Sequence, residues 1–169
     1  MNILALDISG NHESEKEGSG TTGVAWYIAK PSDGFVNIPY NIHLDDTRAS
    51  GFDTIEEYWD AIIKLAIEDW DHVIIEGYRL YNHAGQSART QTNSTLQTSQ
   101  LLGALRMALW KAGIPYSIQY AVEVKTRWSD AILVRKGYLE EGNKFKGKAT
   151  NDHKRDALRH LVHYMEYKL

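Results

Sequence analysis

The 169-residue chain is predicted to be a single α/β domain, a central five-stranded mixed sheet flanked by helices. Three features predict it. Short apolar runs at 2–8 and 72–78 lead into carboxylates, Asp7 and Glu76, as strands that end at a functional edge would. Other segments repeat their apolar residues every three or four positions, the period of an amphipathic helix. The connections are polar and glycine-rich, and no repeat or linker divides residues 1–169.

The elements follow in order. NILALDI at 2–8 is the first strand, delivering Asp7 at its end, and GNHESEKEGSGTTG at 10–23 is a connection. Val24–Ala29 is the second strand and Phe35–Leu44 the third, so the chain opens as an antiparallel meander. Asp53-Thr54 precedes the first helix, whose apolar face is Ile55, Tyr58, Trp59, Ile62, Ile63, Ala66 and Ile67. HVIIEGY at 72–78 is dense enough in apolar residues to be buried on both faces of a sheet. A second helix runs to about Ala112, with Leu96, Leu101, Leu102, Leu105, Leu109 and Trp110 on its apolar side, Gly103-Ala104 allowing close approach to the sheet, and Gly113 as C-cap. Ile114–Val124 is the fifth strand, Arg127–Tyr138 a short helix and GNKFKGK at 142–148 a basic flexible loop. The last helix starts near Thr150 or Asn151 and carries Ala157, Leu158, Leu161, Val162 and Met165 as its stripe. The five tryptophans, Trp26, Trp59, Trp70, Trp110 and Trp128, fall in these patterns as core residues, Trp128 being the one open to another role.

Composition narrows the function. With no cysteine, a disulfide framework, a zinc–cysteine site and a cysteine nucleophile are excluded. The apolar runs are too short for a membrane span, and the N-terminus lacks the basic and apolar regions of a signal peptide, so a cytoplasmic protein is expected, nucleoid-associated or in a host cytoplasm if viral. The net charge of −3 conceals an asymmetry: residues 1–76 sum to −11 and residues 77–169 to +8. A basic second half fits a polyanionic partner, and equally fits neutralisation of one half by the other within the fold.

Asp7 and Glu76 are the most informative pair. Sites in α/β sheets form beyond the carboxyl ends of parallel strands, and like charges held close there favour a cation between them. His153 and Asp156, at i and i+3 near the start of the last helix, share one face, while Asp152 points about 100° away. Together Asp7, Glu76, His153 and Asp156 form an oxygen-rich set suited to two Mg2+ ions clamping the attacking and leaving oxygens of a phosphodiester. Each residue alone has a structural reading: a turn former for Asp7, complements of the helix dipole for Asp152 and Asp156, a surface imidazole for His153. The set, in this order on these elements, points to a site.

Basic residues cluster between 125 and 159, and Lys125, Arg127, Lys144, Lys146, Lys148, Lys154 and Arg155 are candidate phosphate contacts that would give affinity and register rather than sequence choice. Directly after Glu76, the stretch 78–92 offers Arg79 as a further contact and Tyr81 as an aromatic able to stack on exposed bases. A solvated basic surface is the alternative for any one of these cations.

The pieces ILALDIS, TTGVAWYI, VIIEGY, TLQTSQLLGALRMAL and HKRDALRHLVHY, in this order, resemble the ribonuclease H-like nuclease superfamily and, within it, the RuvC-type Holliday junction resolvases. The likeness spans almost the whole chain and implies a ribonuclease H-like sheet of three antiparallel strands followed by two parallel ones. It implies Asp7, Glu76, His153 and Asp156 as catalytic and metal-binding residues, Mg2+ with Mn2+ as a substitute, a homodimer, and cleavage of four-way (Holliday) junctions, with the 78–92 region entering the junction centre. Two departures stand out. The family's Pro-Gly pair after the first Asp is replaced by Ile8-Ser9-Gly10, and the 10–23 connection is long and acidic, with Glu13, Glu15 and Glu17 expected to point away from the site. This divergence suits a phage or mobile-element version. The same carboxylates would serve other branched DNA or RNA, and a nonenzymatic nucleic-acid binder would keep the fold without needing all four groups. A two-domain actin-like phosphotransferase needs a longer chain and a second phosphate loop.

Overall fold

The computed structural model describes residues 1–12, 20–29, 41–77 and 88–168, with the backbone alone for 88–96 and 168. One five-stranded sheet is ordered β3-β2-β1-β4-β5, from β1 (Asn2–Asp7), β2 (Thr21–Ile28), β3 (Ile42–Arg48), β4 (His72–Gly77) and β5 (Tyr116–Tyr120). β1, β2 and β3 pair antiparallel, whereas β4 pairs parallel to both β1 and β5, the mixed sheet that the sequence predicts. Helices α1 (Ile55–Ala66) and α2 (Ala88–Ala112) cover one face, and α5 (Asp152–Lys168), with the short α3 (Ala121–Arg127) and α4 (Asp130–Arg135), covers the other.

Two-sided burial explains the continuous apolar runs. Along β1, Leu4 and Leu6 face α1 and α2 while Ile3 and Ala5 face α5; along β4, Val73 and Ile75 take the first side and Ile74 the second. The same alternation sends Asp7 and Glu76 to the α5 face. The parallel register ends at Leu6 opposite Ile75, so one step further the two carboxylates are neighbours.

Helix ends follow their sequence signals. Thr54 caps α1, its side chain accepting from Glu57 N at 3.2 Å, while Glu57 reaches back to Asp53 N. Asn151 caps α5, its Oδ1 accepting from Lys154 N at 2.8 Å. Tyr58, Ile62 and Ala66 of α1, Leu101, Leu105 and Leu109 of α2, and Ala157, Leu158, Leu161, Val162 and Met165 of α5 are buried as expected. Among the described residues no helix is long and apolar enough to cross a membrane.

Several boundaries differ from expectation. β3 begins at Ile42, and residues 35–40 of the expected third strand lie outside the described residues. The fifth strand is Tyr116–Tyr120 rather than Ile114–Val124; at Ala121 the chain turns helical because Val124 and Trp128, four apart, both reach the core. Of the helix expected over Arg127–Tyr138, only Asp130–Arg135 forms, as α4 capped by the Ser129 side chain, and a separate helix, α3, ends at Arg127. Residues 142–148 are no loose loop: β6 (Lys144–Phe145) and β7 (Lys148–Ala149) form a hairpin whose turn residues Lys146 and Gly147 both have positive φ, the geometry of a tight two-residue turn. Gly103 does not approach the sheet, since a Cβ there would meet nothing within 4 Å. Trp110 is 71% exposed, not core, whereas Trp128 is buried and donates its indole N–H to His163 Nδ1.

Candidate metal centre

The edge where β1 and β4 end beneath α5 carries a carboxylate cluster. Asp7 and Asp156 are buried and Glu76 is nearly so, and one ligand atom from each lies within 4.8 Å of the others. Two devices hold α5 over this edge, and a third brings α2 close to it. Gly23 of β2, the register partner of Asp7, lets the helix start approach so closely that a Cβ there would lie 2.0 Å from His153 O. Asp46 of β3 accepts from Asn151 Nδ2 and pairs with Lys154 Nζ at 3.5 Å, tying the first turn down. Gly10 similarly lets α2 pass over the segment after β1, where a Cβ would lie 2.3 Å from Gln97 O. Behind Asp7, the buried Tyr58 hydroxyl donates to Ser9 O at 2.8 Å and meets Thr22 Oγ1 at 2.9 Å.

Electrostatics divide the carboxylates. Burial, reinforced by the neighbouring Glu76 charge, pushes Asp7 up to about 8, although the bond to His153 opposes the rise. Burial would raise Glu76 too, but hydrogen bonding with His160 and Asp7 and the charge of Lys125 drive it down to about 2. The two carboxyls thus titrate as a coupled pair, with Asp7 pushed up and Glu76 pushed down. Asp156 is flanked by Lys125 Nζ at 2.6 Å and by Arg159. Lys125 is desolvated, yet its pairing with Asp156 raises its pKa, so the ammonium stays charged beside the cluster. Acids that cannot all ionise together, with an ammonium alongside, fit a divalent cation: it would replace the proton on Asp7 and gather oxygens from all three.

His153 joins the cluster through Asp7, its Nδ1 lying 2.8 Å from Asp7 Oδ2. Asp152 turns away, is 84% exposed and pairs with Arg155. Of the expected phosphate contacts, several are engaged within the protein. Lys125 faces Asp156, Lys154 faces Asp45 and Asp46, and Arg155 pairs with Asp130 and Asp152 while donating to Thr150 O. Lys146 donates to Ile42 O at 2.7 Å, pinning the hairpin to the edge strand. Arg127 lies over the Tyr167 ring, and Lys144 and Lys148 are exposed on the hairpin. Arg79 and Tyr81 lie outside the described residues, as do Glu13, Glu15 and Glu17.

Sequence reading missed His160, Gln119 and the close approach at Gly23. His160 had a signal, since it follows Asp156 by one helical turn; Gln119 had none without the strand register.

No family model matches the sequence, and no curated protein matches it. Solved structures do. The chain aligns with Thermus thermophilus RuvC in complex with a Holliday junction substrate at a TM-score of 0.62 and 16% identity, covering 99% of this chain and 94% of that one. It aligns with another Thermus thermophilus RuvC structure at 0.61 and 17% identity, covering 99% and 95%. The fold is thus RuvC-type and ribonuclease H-like.

Proposed function

We propose that this chain is a divalent-metal-dependent endonuclease that resolves four-way DNA junctions by paired symmetric cleavage. The observation that carries the reading is the convergence of Asp7, Glu76 and Asp156 from β1, β4 and α5 to within 4.8 Å. A solved structure of the same fold holds a Holliday junction substrate, which supports this substrate over others. Asp7, Glu76 and Asp156, with His153 at their margin, would hold Mg2+ or Mn2+, as two ions. The metal would supply a water of lowered pKa and a clamp for the attacking and leaving oxygens.

The chain's own residues prepare that chemistry. Glu76, held low by its hydrogen bonds and the Lys125 charge, would bind the metal as a carboxylate, and Asp7, held high by burial, would ligate it once deprotonated. His153 orients the Asp7 carboxylate, and Arg159, anchored on Trp128 O and Asp130, fixes Asp156. Lys125, which pairs with Asp156, would contact the scissile phosphate. Arg127, Lys144 and Lys148 supply further phosphate contacts. Arg79 and Tyr81 follow Glu76 closely in the chain and are assigned to the junction centre.

Paired cleavage calls for two sites about a two-fold axis, and α2 offers a face for it. Gly103, Met107 and Trp110 lie along one exposed side, beside Arg106 and Tyr116. Gly103 and Trp110 are seven residues apart, about 10.5 Å along the helix. Antiparallel pairing of two α2 helices would set each Trp110 over the other copy's Gly103, a self-complementary contact.

The test is cleavage of a labelled immobile four-way junction in Mg2+, beside linear duplex, single strand, three-way junction and RNA–DNA hybrid, with Asp7→Asn as control. Paired symmetric nicks near the crossover, lost in the variant, are expected. Cutting of flaps or hybrid alone moves the substrate and keeps the chemistry. Tight junction binding without cutting in Mg2+ or Mn2+ refutes the enzyme.

A further inference from the structure

One buried imidazole is not used by the mechanism above. His160 stands one turn beyond Asp156 on α5 and has no solvent exposure. Gln119 of β5 is the register partner of Glu76, so both side chains project from the same face toward α5. His160 bridges them: its Nδ1 lies 3.0 Å from Gln119 Oε1, and its Nε2 lies 3.2 Å from Glu76 Oε2. Among the described residues, Nε2 and Oε2 have no other partner, and both are cut off from water. Two acceptors facing each other there would both be left unsatisfied, at a cost of about 1–3 kcal/mol each. A proton on Nε2 satisfies both atoms. The two ends of a carboxamide exchange by a half-turn, so Gln119 can present a donor to Nδ1 and leave Nε2 as the N–H.

We infer that His160 is the positioning residue for Glu76: its Nε2–H holds one carboxylate oxygen from behind, leaving the other for the cation shared with Asp7 and Asp156, while Gln119 fixes the ring. This rests on the reading of the cluster as a metal site. Glu76 reaches the site from a strand end, and its rotamers would otherwise be limited by packing and by its hydrogen bond with Asp7. A donor behind a ligating carboxylate restricts it to one orientation, and losing such a partner typically weakens metal binding by about 10–100-fold.

The experiment titrates Mn2+ alone into the full chain by calorimetry, with the melting temperature recorded without metal. His160→Leu keeps much of the volume and removes the donor; about 10–100-fold weaker Mn2+ binding is expected. His160→Gln retains an N–H donor and should recover most of that loss. Gln119→Leu leaves the ring unanchored and should fall between the two. A folded His160→Leu protein binding Mn2+ like the wild type overturns the inference. So does an equal loss in His160→Leu and His160→Gln, since packing then accounts for the effect. Should His160→Leu not fold, Gln119→Leu decides: weakened binding supports the role, and wild-type binding overturns it. A wild-type protein that binds no Mn2+ refutes the metal-site reading and His160 with it, whereas normal wild-type binding with unaffected variants refutes His160 alone.

Discussion

Replacing Gly23 by alanine should disable the site without touching any ligand. The position pairs with Asp7, and its Cβ would lie 2.0 Å from His153 O and 2.3 Å from His153 C. Relief to ordinary contact distance requires a displacement of more than about 1 Å between β2 and the start of α5, the helix that carries His153 and Asp156. A single Mg2+ with bonds of about 2.1 Å spans at most about 4.2 Å between opposite oxygens. The three ligand atoms lie within 4.8 Å, so closing onto one ion is a small adjustment. Adding 1 Å to the Asp7–Asp156 side puts it out of reach. Misplacement on this scale costs about 100-fold in rate, and overpacking costs about 1–3 kcal/mol of stability. Single-turnover junction cleavage and Mn2+ calorimetry read the first effect, and thermal melting the second. Gly51→Ala, where a Cβ would meet nothing within 4 Å, is the matched control. A folded Gly23→Ala protein with wild-type Mn2+ affinity and cleavage would refute the claim that this close approach sets the ligand geometry.

Other outcomes follow from the same geometry. Asp7, raised to about 8 in the folded state against an ordinary 3.8, binds more protons folded than unfolded between those values. The metal-free protein should therefore lose stability as pH rises from about 4 to 8, each 1 kcal/mol appearing as about 2–4 °C of melting temperature, and Mn2+ should reverse the trend. Glu76, lowered to about 2, acts oppositely: its contribution is present above its ordinary 4.5 and is lost as pH falls toward 2. Lys125→Met removes a positive charge beside the incoming ion; at about 5 Å in water a monovalent–divalent repulsion is about 1.7 kcal/mol, so Mn2+ binding should tighten by up to about 20-fold while cleavage falls. Unchanged calorimetry would place Lys125 outside the field of the site. Trp110→Lys should shift sedimentation from dimer to monomer and leave Mn2+ binding in place; an unaltered dimer assigns the interface elsewhere.

Much of this site is legible in the chain. The dense runs before Asp7 and Glu76 mark strands buried on both faces, and the i, i+3 spacing of His153 and Asp156 puts them on one side of a capped helix, because these are local consequences of strand and helix periods. Local periods also mislead where burial is decided at a distance. Trp110 completes an apolar pattern on α2 yet stands in solvent, and Val122 and Val124 read as strand although Val124 packs from a helix. What only the tertiary structure decided is which residues meet. The register of β1 against β4 and the burial of α5 on one sheet face set Asp7, Glu76 and Asp156 together; the crossover after β5 brings Lys125 to Asp156; and the pairing of Glu76 with Gln119 creates the place that His160 fills. Sequence periodicity assigns a side chain to a face, but its neighbour across that face is chosen by contacts between elements distant in the chain, and the chemistry of this edge resides in those contacts.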